Sequence, residues 1–300
     1  MSDHLFLELS DLLTPDDLLV VNNTRVRAAR LVGTRVESGG TVELLLLERR
    51  EDGVWMALAK PARRLRPGVV IEFEGLSATI ESQPSAGLVQ ISLDASDEEV
   101  AIAAAGEMPL PPYFTGQLED PERYQTLYSN VTGSAAAPTA GLHFTPEVMT
   151  SLANKQIQVA TVDLRVSLDT FRPMTVEDTD DHQMHSEWCS IPEETADAIA
   201  SADRVVAVGT TVVRTLESFA DGAGSVRAGA GRTEVFIAPG YQFLVVDALI
   251  TNFHMPSSTL LVLLAAFMGD RWIEAYTAAL DRGYRFLSFG DAMLAERGDS

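Results

Sequence analysis

The feature that most constrains this chain is a change of rhythm near residue 28 and a second one near residue 106. Between them, apolar residues fall into six short runs: Ala29–Thr34, Thr41–Glu48, Val54–Ala59, Val69–Phe73, Ala78–Glu81 and Leu88–Leu93. Turn formers punctuate them at Gly39-Gly40, Glu51-Asp-Gly53, Arg66-Pro-Gly68 and Ser85-Ala-Gly87. Strands this short and closely spaced leave no room for intervening helices, which argues for a small barrel or sandwich. An acidic helix is expected over Asp97–Ala105.

Outside that block the chain alternates strand and helix. Asp17–Val21 reads as a strand ending in the polar turn Asn22-Asn-Thr-Arg25. Thr145-Pro-Glu147 caps a helix with proline at its first turn. Strand Gln158–Val166, helix Pro192–Ser201, strand Arg204–Val208 and helix Val212–Phe219 follow. Val235–Ile237 and Phe243–Asp247 read as further strands, with helices over Ser257–Met268 and Asp270–Arg282. Gly222–Gly231 reads as a flexible surface loop. Such alternation implies a layered α/β/α domain with a largely parallel sheet. The expected division is therefore an α/β domain of residues 1–27 and 106–300, interrupted by an antiparallel β domain of residues 28–105.

Composition limits the function. Cys189 is the single cysteine, which excludes an internal disulfide framework and a cysteine-built metal site. The opening MSDHLFLELSDLL lacks a basic segment and is broken by acids, so no signal peptide is expected. The apolar run Thr259–Met268 is too short for a bilayer, which takes roughly 20 residues. A cytoplasmic protein with no membrane partner is expected. Net charge is −21, so indiscriminate capture of polyanions is disfavoured. A local basic patch from Arg25, Arg27, Arg30 and Arg35 with Arg63, Arg64 and Arg66 stays open beside its alternative, solvated turn and strand arginines.

Five polar segments can carry chemistry. Gly133–Phe144 strings small residues, including Thr139 and Gly141, before His143, a side chain suited to proton transfer near neutrality. Asp180–Glu187 holds His182, His185 and Glu187; its spacing is not a sharp zinc pattern, and substrate hydrogen bonding or acid/base work is preferred to metal binding, with structural capping as the alternative. Gly209-Thr210-Thr211, with Arg214 a turn later, joins strand to helix and offers N–H groups to an anion. Asp247–Pro256 carries Asn252 and His254 at a strand end, where open α/β sheets bind ligands. Asp291 lies in a last polar turn. Together they favour an enzyme over a binding module; nothing in the chain argues for a metal, and no bound cofactor is expected.

Several strings resemble one family: Val20–Arg25, Met108–Tyr113, Tyr124–Tyr128, Ala135–Phe144, Met184–Glu187, Val208–Arg214, Pro239–Tyr241, Val246–His254 and Tyr284–Met293. The family is the S-adenosylmethionine:tRNA ribosyltransferase-isomerase of queuosine biosynthesis. The resemblance implies an α/β domain with an inserted β-barrel. It also implies transfer and isomerisation of the ribosyl part of S-adenosylmethionine to an aminomethyl-deazaguanine at the tRNA wobble position. The expected products are epoxyqueuosine-tRNA, adenine and methionine. S-adenosylmethionine is then a substrate, tRNA the partner, and the enzyme a monomer. Acid/base roles fall to His143, His185, Glu187 and His254. Substrate contacts fall to Arg25, Thr139, Gly141, Gly209, Thr210, Thr211, Arg214, Asp247, Asn252 and Asp291, with Thr210, Thr211 and Arg214 as the anion anchor.

The chain also departs from the family. It opens almost directly at Leu12-Leu13, without the family's usual preceding segment. The family's Leu-His-Val-Gly-x-Gly-Thr-Phe reads Leu164-Arg-Val-Ser-Leu-Asp-Thr-Phe171, and Ser257 replaces a glutamate. Side chains in place of glycines fill space beside a close-approaching backbone. A diverged relative with a smaller acceptor, or a non-catalytic nucleoside- or RNA-binding one, is the alternative these changes leave.

Overall fold

The computed structural model describes residues 1–111, 113, 114, 118–167, 184 and 186–298. His182, His185 and Asp169 lie outside the described residues. In chain order the strands and helices are β1 (Asp17–Asn22), β2 (Thr24–Val26), β3 (Arg30–Arg35), β4 (Thr41–Arg49), β5 (Trp55–Lys60), β6 (Val70–Phe73), β7 (Leu76–Ile80), β8 (Leu88–Asp94), α1 (Glu98–Ala105), β9 (Gly106–Glu107) and β10 (Val131–Ser134). They continue with α2 (Pro146–Asn154), β11 (Gln158–Leu164), β12 (Glu187–Ile191), α3 (Glu193–Ser201), β13 (Arg204–Val208), α4 (Thr210–Ser218), β14 (Gly229–Thr233), β15 (Ala248–Asn252), α5 (Thr259–Met268), α6 (Arg271–Asp281) and β16 (Ala292–Glu296). The chain divides into two units. One comprises residues 1–25, 118–131 and 137–300, the other 26–117 and 132–136.

The first unit is built on a seven-stranded sheet of order β14-β12-β11-β1-β13-β15-β16. Its four central strands are parallel, β12 and β16 run antiparallel to them, and β14 pairs antiparallel with β12 at one edge. Every residue of β1 is buried, the signature of a strand covered on both faces. Alternate side chains show this directly. Leu18 and Val20 pack with Val205, Ala207, Leu216, Leu249 and Phe267 on one face. Leu19 and Val21 pack with Val206, Val208, Val148, Leu152 and Ile250 on the other. The result is the layered α/β/α arrangement that strand–helix alternation predicts.

Two expected strands are absent, and a carboxylate explains one. Phe243–Asp247 lies beside the sheet, but Glu217 of α4 accepts the backbone N–H groups of Leu244, Val245 and Val246 at 2.9, 3.1 and 3.1 Å. Those donors cannot also serve a ladder. At Val235 the carbonyl is taken by Arg214 Nε at 3.2 Å and the N–H by Thr233 Oγ1. The edge goes instead to β14, which begins within the last three residues of the stretch expected to be a loop. Its residues are mostly exposed, so backbone pairing to β12 holds it and no apolar alternation betrays it.

The second unit is an antiparallel barrel. Strands β4-β5-β8-β7-β6-β3 follow one another, and β3 pairs with β4 to close the ring. Inward side chains such as Leu31, Val42, Leu44, Trp55, Ala57, Ile71, Ala78 and Ile91 are fully buried. Where β3 meets β6 the backbones come very close: a Cβ on Gly33 would stand 2.5 Å from the Glu72 carbonyl oxygen. Helix α1 is capped by Asp97, which accepts the Val100 N–H at 3.2 Å. All six expected runs are present as strands within a residue or two of their expected ends.

Candidate active site

The site grows from the carboxyl ends of the parallel strands. After Val208 the chain must turn sharply into α4, and Gly209 does so at φ +95, a conformation costly for any residue with a Cβ. Its N–H is fixed to the Ile250 carbonyl of β15 at 2.8 Å. Thr210 and Thr211 then form the first turn of α4, where backbone N–H groups lack helical partners. Thr211 Oγ1 is buried and has no hydrogen-bond partner among the described residues.

Beside this turn lies the 3-10 segment Thr139–His143. Gly141 is required here, because a Cβ would stand 2.3 Å from the Tyr128 hydroxyl. Thr139 Oγ1 donates to Asn252 Oδ1 at 3.0 Å, and Asn252 Nδ2 donates to His143 Nε2 at 3.0 Å. In this amide orientation His143 Nε2 is the unprotonated nitrogen. Phe6 stacks on the imidazole with ring centroids 5.1 Å apart. Burial lowers the pKa of His143, reinforced by Arg285 and partly offset by Asp291. Both influences keep the ring neutral near pH 7.

His254, two residues beyond β15, is buried. Its Nε2 lies 3.0 Å from Thr251 Oγ1, and its N–H donates to the Tyr276 hydroxyl at 2.7 Å. Burial brings its pKa down to about 4. Two neutral imidazoles therefore flank the strand ends, and neither repels a cationic ligand.

Three hollows divide these residues. A small cleft of about 30 Å³ is lined by Thr139, Gly209, Thr210, Thr211, Asn252 and His254, with Val166 and Leu260 among its apolar walls. A neighbouring crevice of about 20 Å³ shares Thr210 and Thr211 and adds Arg214. A larger cavity of about 690 Å³ is lined by His143, Phe6, Phe253, Arg282, Tyr284 and Asp291 with other residues. His143 and His254 thus face different hollows, joined through Asn252.

Several expected substrate contacts are engaged inside the protein. Glu187, expected to work as acid or base, forms a buried ion pair with Arg214, expected as a free anion anchor. Glu187 Oε1 also accepts the Ser167 N–H at 2.8 Å. Arg214 Nη2 is buried and unpartnered among the described residues. Arg25 pairs with Glu122 at 2.5 Å. Asp247 accepts the Val205 N–H at 2.9 Å and meets Arg297 at 3.3 Å. Neither Arg25 nor Asp247 lines any of the three hollows. Asp291 pairs with Arg285 at 2.9 Å, which holds its carboxyl below the usual range. Cys189 is an inert thiol, pushed up to about 11 by burial.

The departures at 165 and 257 lie outside the cleft. Arg165 is exposed and stacks over Trp188 at 4.2 Å, while its neighbour Val166 lines the cleft. Ser257 is exposed. Sequence reasoning missed Phe6, Thr251 and Tyr276. Thr251 alone carries a local signal, three residues before His254; the other two arrive by tertiary contact. Among the described residues no three His, Cys, Asp or Glu side chains are grouped to hold a metal ion, and no helix is long and apolar enough to cross a membrane.

A doubly covered parallel sheet, with a cleft at its strand ends that gathers threonines, an asparagine and a histidine, is the scaffold of an α/β enzyme. The chain belongs to the family of queuosine biosynthesis proteins, whose model matches residues 1–295. It is also similar to the crystal structure of an S-adenosylmethionine tRNA ribosyltransferase from Thermotoga maritima. That likeness has 36% identity and a TM-score of 0.50, over 96% of this chain and 85% of the other.

Proposed function

We propose that this protein is an S-adenosylmethionine:tRNA ribosyltransferase-isomerase. It moves the ribosyl part of S-adenosylmethionine onto the aminomethyl-deazaguanine wobble base of tRNA, releasing adenine and methionine. Family membership over residues 1–295 carries the reading. It acts in the cytoplasm as a monomer and takes S-adenosylmethionine as a substrate, without a bound cofactor.

The chemistry assigns work to the residues gathered above. The sulfonium acidifies the adjacent ribose carbon, so a neutral base must take its proton. His143, which lines the large cavity, suits that task because burial disfavours its charged form; the Asn252 amide that donates into Nε2 must swing away for that nitrogen to accept the proton. Thr210, Thr211 and Arg214 suit the methionine carboxylate, with the helix dipole of α4 adding to the attraction. His254, neutral at physiological pH, serves as a hydrogen-bonding partner to the nucleoside and introduces no charge against the sulfonium. The large cavity beside His143 offers room for a planar base against Phe6 and Phe253.

The test is nucleoside analysis of tRNA carrying the aminomethyl precursor after incubation with enzyme and S-adenosylmethionine. The precursor nucleoside should be replaced by one heavier by the epoxycyclopentyl addition. Unchanged tRNA with active, folded enzyme would refute the assignment.

A further inference from the structure

The barrel unit carries a cluster of cations that the reaction chemistry does not use. Residues 60–66 read Lys-Pro-Ala-Arg-Arg-Leu-Arg, four cations and no acid, in a chain with 22 basic against 43 acidic side chains. The other arginines on this unit are largely spoken for. Arg27 pairs with Glu99, Arg30 with Glu43, Arg49 with Glu98 and Arg50 with Asp52, while Arg35 is half-buried against Gly40 and has no ion pair among the described residues. Lys60 ends β5 opposite Glu43. Arg63, Arg64 and Arg66 differ. All three are exposed, and no described carboxylate lies within ion-pair distance of them.

The segment that bears them is fixed in place. Leu65, between the arginines, is 2% exposed and anchors the loop. The Leu65 N–H bonds to the Ala62 carbonyl at 3.0 Å, Val69 N–H to Arg66 at 3.1 Å, and Gly68 N–H to Ile80 at 2.8 Å. Burying one leucine while presenting three arginines gives a preorganised cationic edge, so little ordering entropy is lost when it meets an anion.

We propose that Arg63, Arg64 and Arg66 form a docking surface for the sugar-phosphate backbone of tRNA. The inference rests on the tRNA reaction proposed above. A chain of net charge −21 repels a polyanion at long range. Binding therefore needs a local surface where positive charge is concentrated and not neutralised by neighbouring acids. Guanidinium groups match phosphate oxygens bidentately, and each phosphate neutralised releases counterions. These contacts position the RNA and carry no base specificity.

The test compares wild type with Arg63→Glu/Arg64→Glu/Arg66→Glu, the milder Arg63→Gln/Arg64→Gln/Arg66→Gln, and Arg50→Glu as a control for overall charge. Circular dichroism melting verifies each fold, and the triple glutamine variant provides the reading if charge reversal impairs folding. The triple reversal should raise both the Kd and KM for tRNA by about tenfold or more. Its kcat at saturating tRNA and its KM for S-adenosylmethionine should stay unchanged. The slope of log Kd against log salt should fall by about 2–3, with an intermediate effect for glutamine and little for Arg50→Glu. Wild-type tRNA affinity in the triple variants, or an equal loss in Arg50→Glu, would overturn the proposal. So would loop-dependent binding to anionic phosphatidylglycerol vesicles with tRNA affinity unaffected. If wild type binds tRNA but transfers no ribosyl group, the reaction assignment fails, while the binding comparison still decides the docking surface.

Discussion

His143 owes its protonation state to where it sits. Burial against Phe6 disfavours the imidazolium, and the Asn252 amide donates into Nε2. A neutral base of lowered pKa loses activity only when acid protonates it, so the acidic limb of the pH–rate profile should lie below the ordinary histidine value of 6.5. Asn252→Asp places a carboxylate beside Nε2 and favours the charged ring. The acidic limb should then move up by about 1–2 units; a limb unmoved in the variant would remove His143 as the titrating group. His254 makes a separate prediction about stability. Unfolded, its ring titrates near 6.5, and folded near 4, so the unfolded state binds the extra proton between those values. Its contribution is fully present above pH 6.5 and is lost as pH falls toward 4, up to about 3 kcal/mol. Urea melts of wild type and His254→Gln across pH 4–7 should show a shallower decline in the variant; parallel curves would contradict the burial argument. These two histidines were legible in the sequence as candidates. Their neutrality was not, because it depends on Phe6, Tyr276 and the helices that cover them.

At the scale of elements, α4 is tied down by buried charge. Arg214 reaches Glu187 of β12, and Glu217 holds the N–H groups of residues 244–246. Breaking a buried pair strands an uncompensated charge, at a cost of about 3–5 kcal/mol. Glu187→Gln should therefore lower stability, and Glu187→Gln/Arg214→Met should recover much of it in thermal melts. Failure of the double variant to recover would argue that Glu187 is not primarily the counterion of Arg214. Glu217→Ala leaves three donors unsatisfied and should cost about 3 kcal/mol or more; a near-neutral result would contradict the capping role. The same carboxylate shows where sequence reading stops. Residues 243–247 have the apolar pattern of a strand, yet a side chain 27 positions earlier claims the N–H of Leu244. Conversely β14 is nearly all glycine, alanine and arginine, and only its backbone bonds make it a strand. The barrel strands and the central parallel strands were readable because burial on one or both faces writes itself into the apolar spacing.

Over the whole molecule, the chain forms two differently built units, one holding a closed antiparallel barrel in residues 26–117 and 132–136 and the other a doubly covered sheet. The site motifs were legible as polar punctuation at strand ends, and the topology gathers Thr139, Gly209, Thr210, Thr211, Asn252 and His254 around one cleft. Arg25 and Asp247 carry the same kind of signal but serve ion pairs and a backbone cap, a distinction that spacing alone cannot make. The central claim is that one S-adenosylmethionine molecule is split three ways in a tRNA-dependent reaction. It is tested most directly with S-adenosylmethionine labelled separately in its ribose and its adenine. The account predicts ribose label in tRNA and an equal amount of free adenine, both only when tRNA with the aminomethyl base is present. Adenine label retained on the tRNA, or adenine released equally well without tRNA, would contradict it.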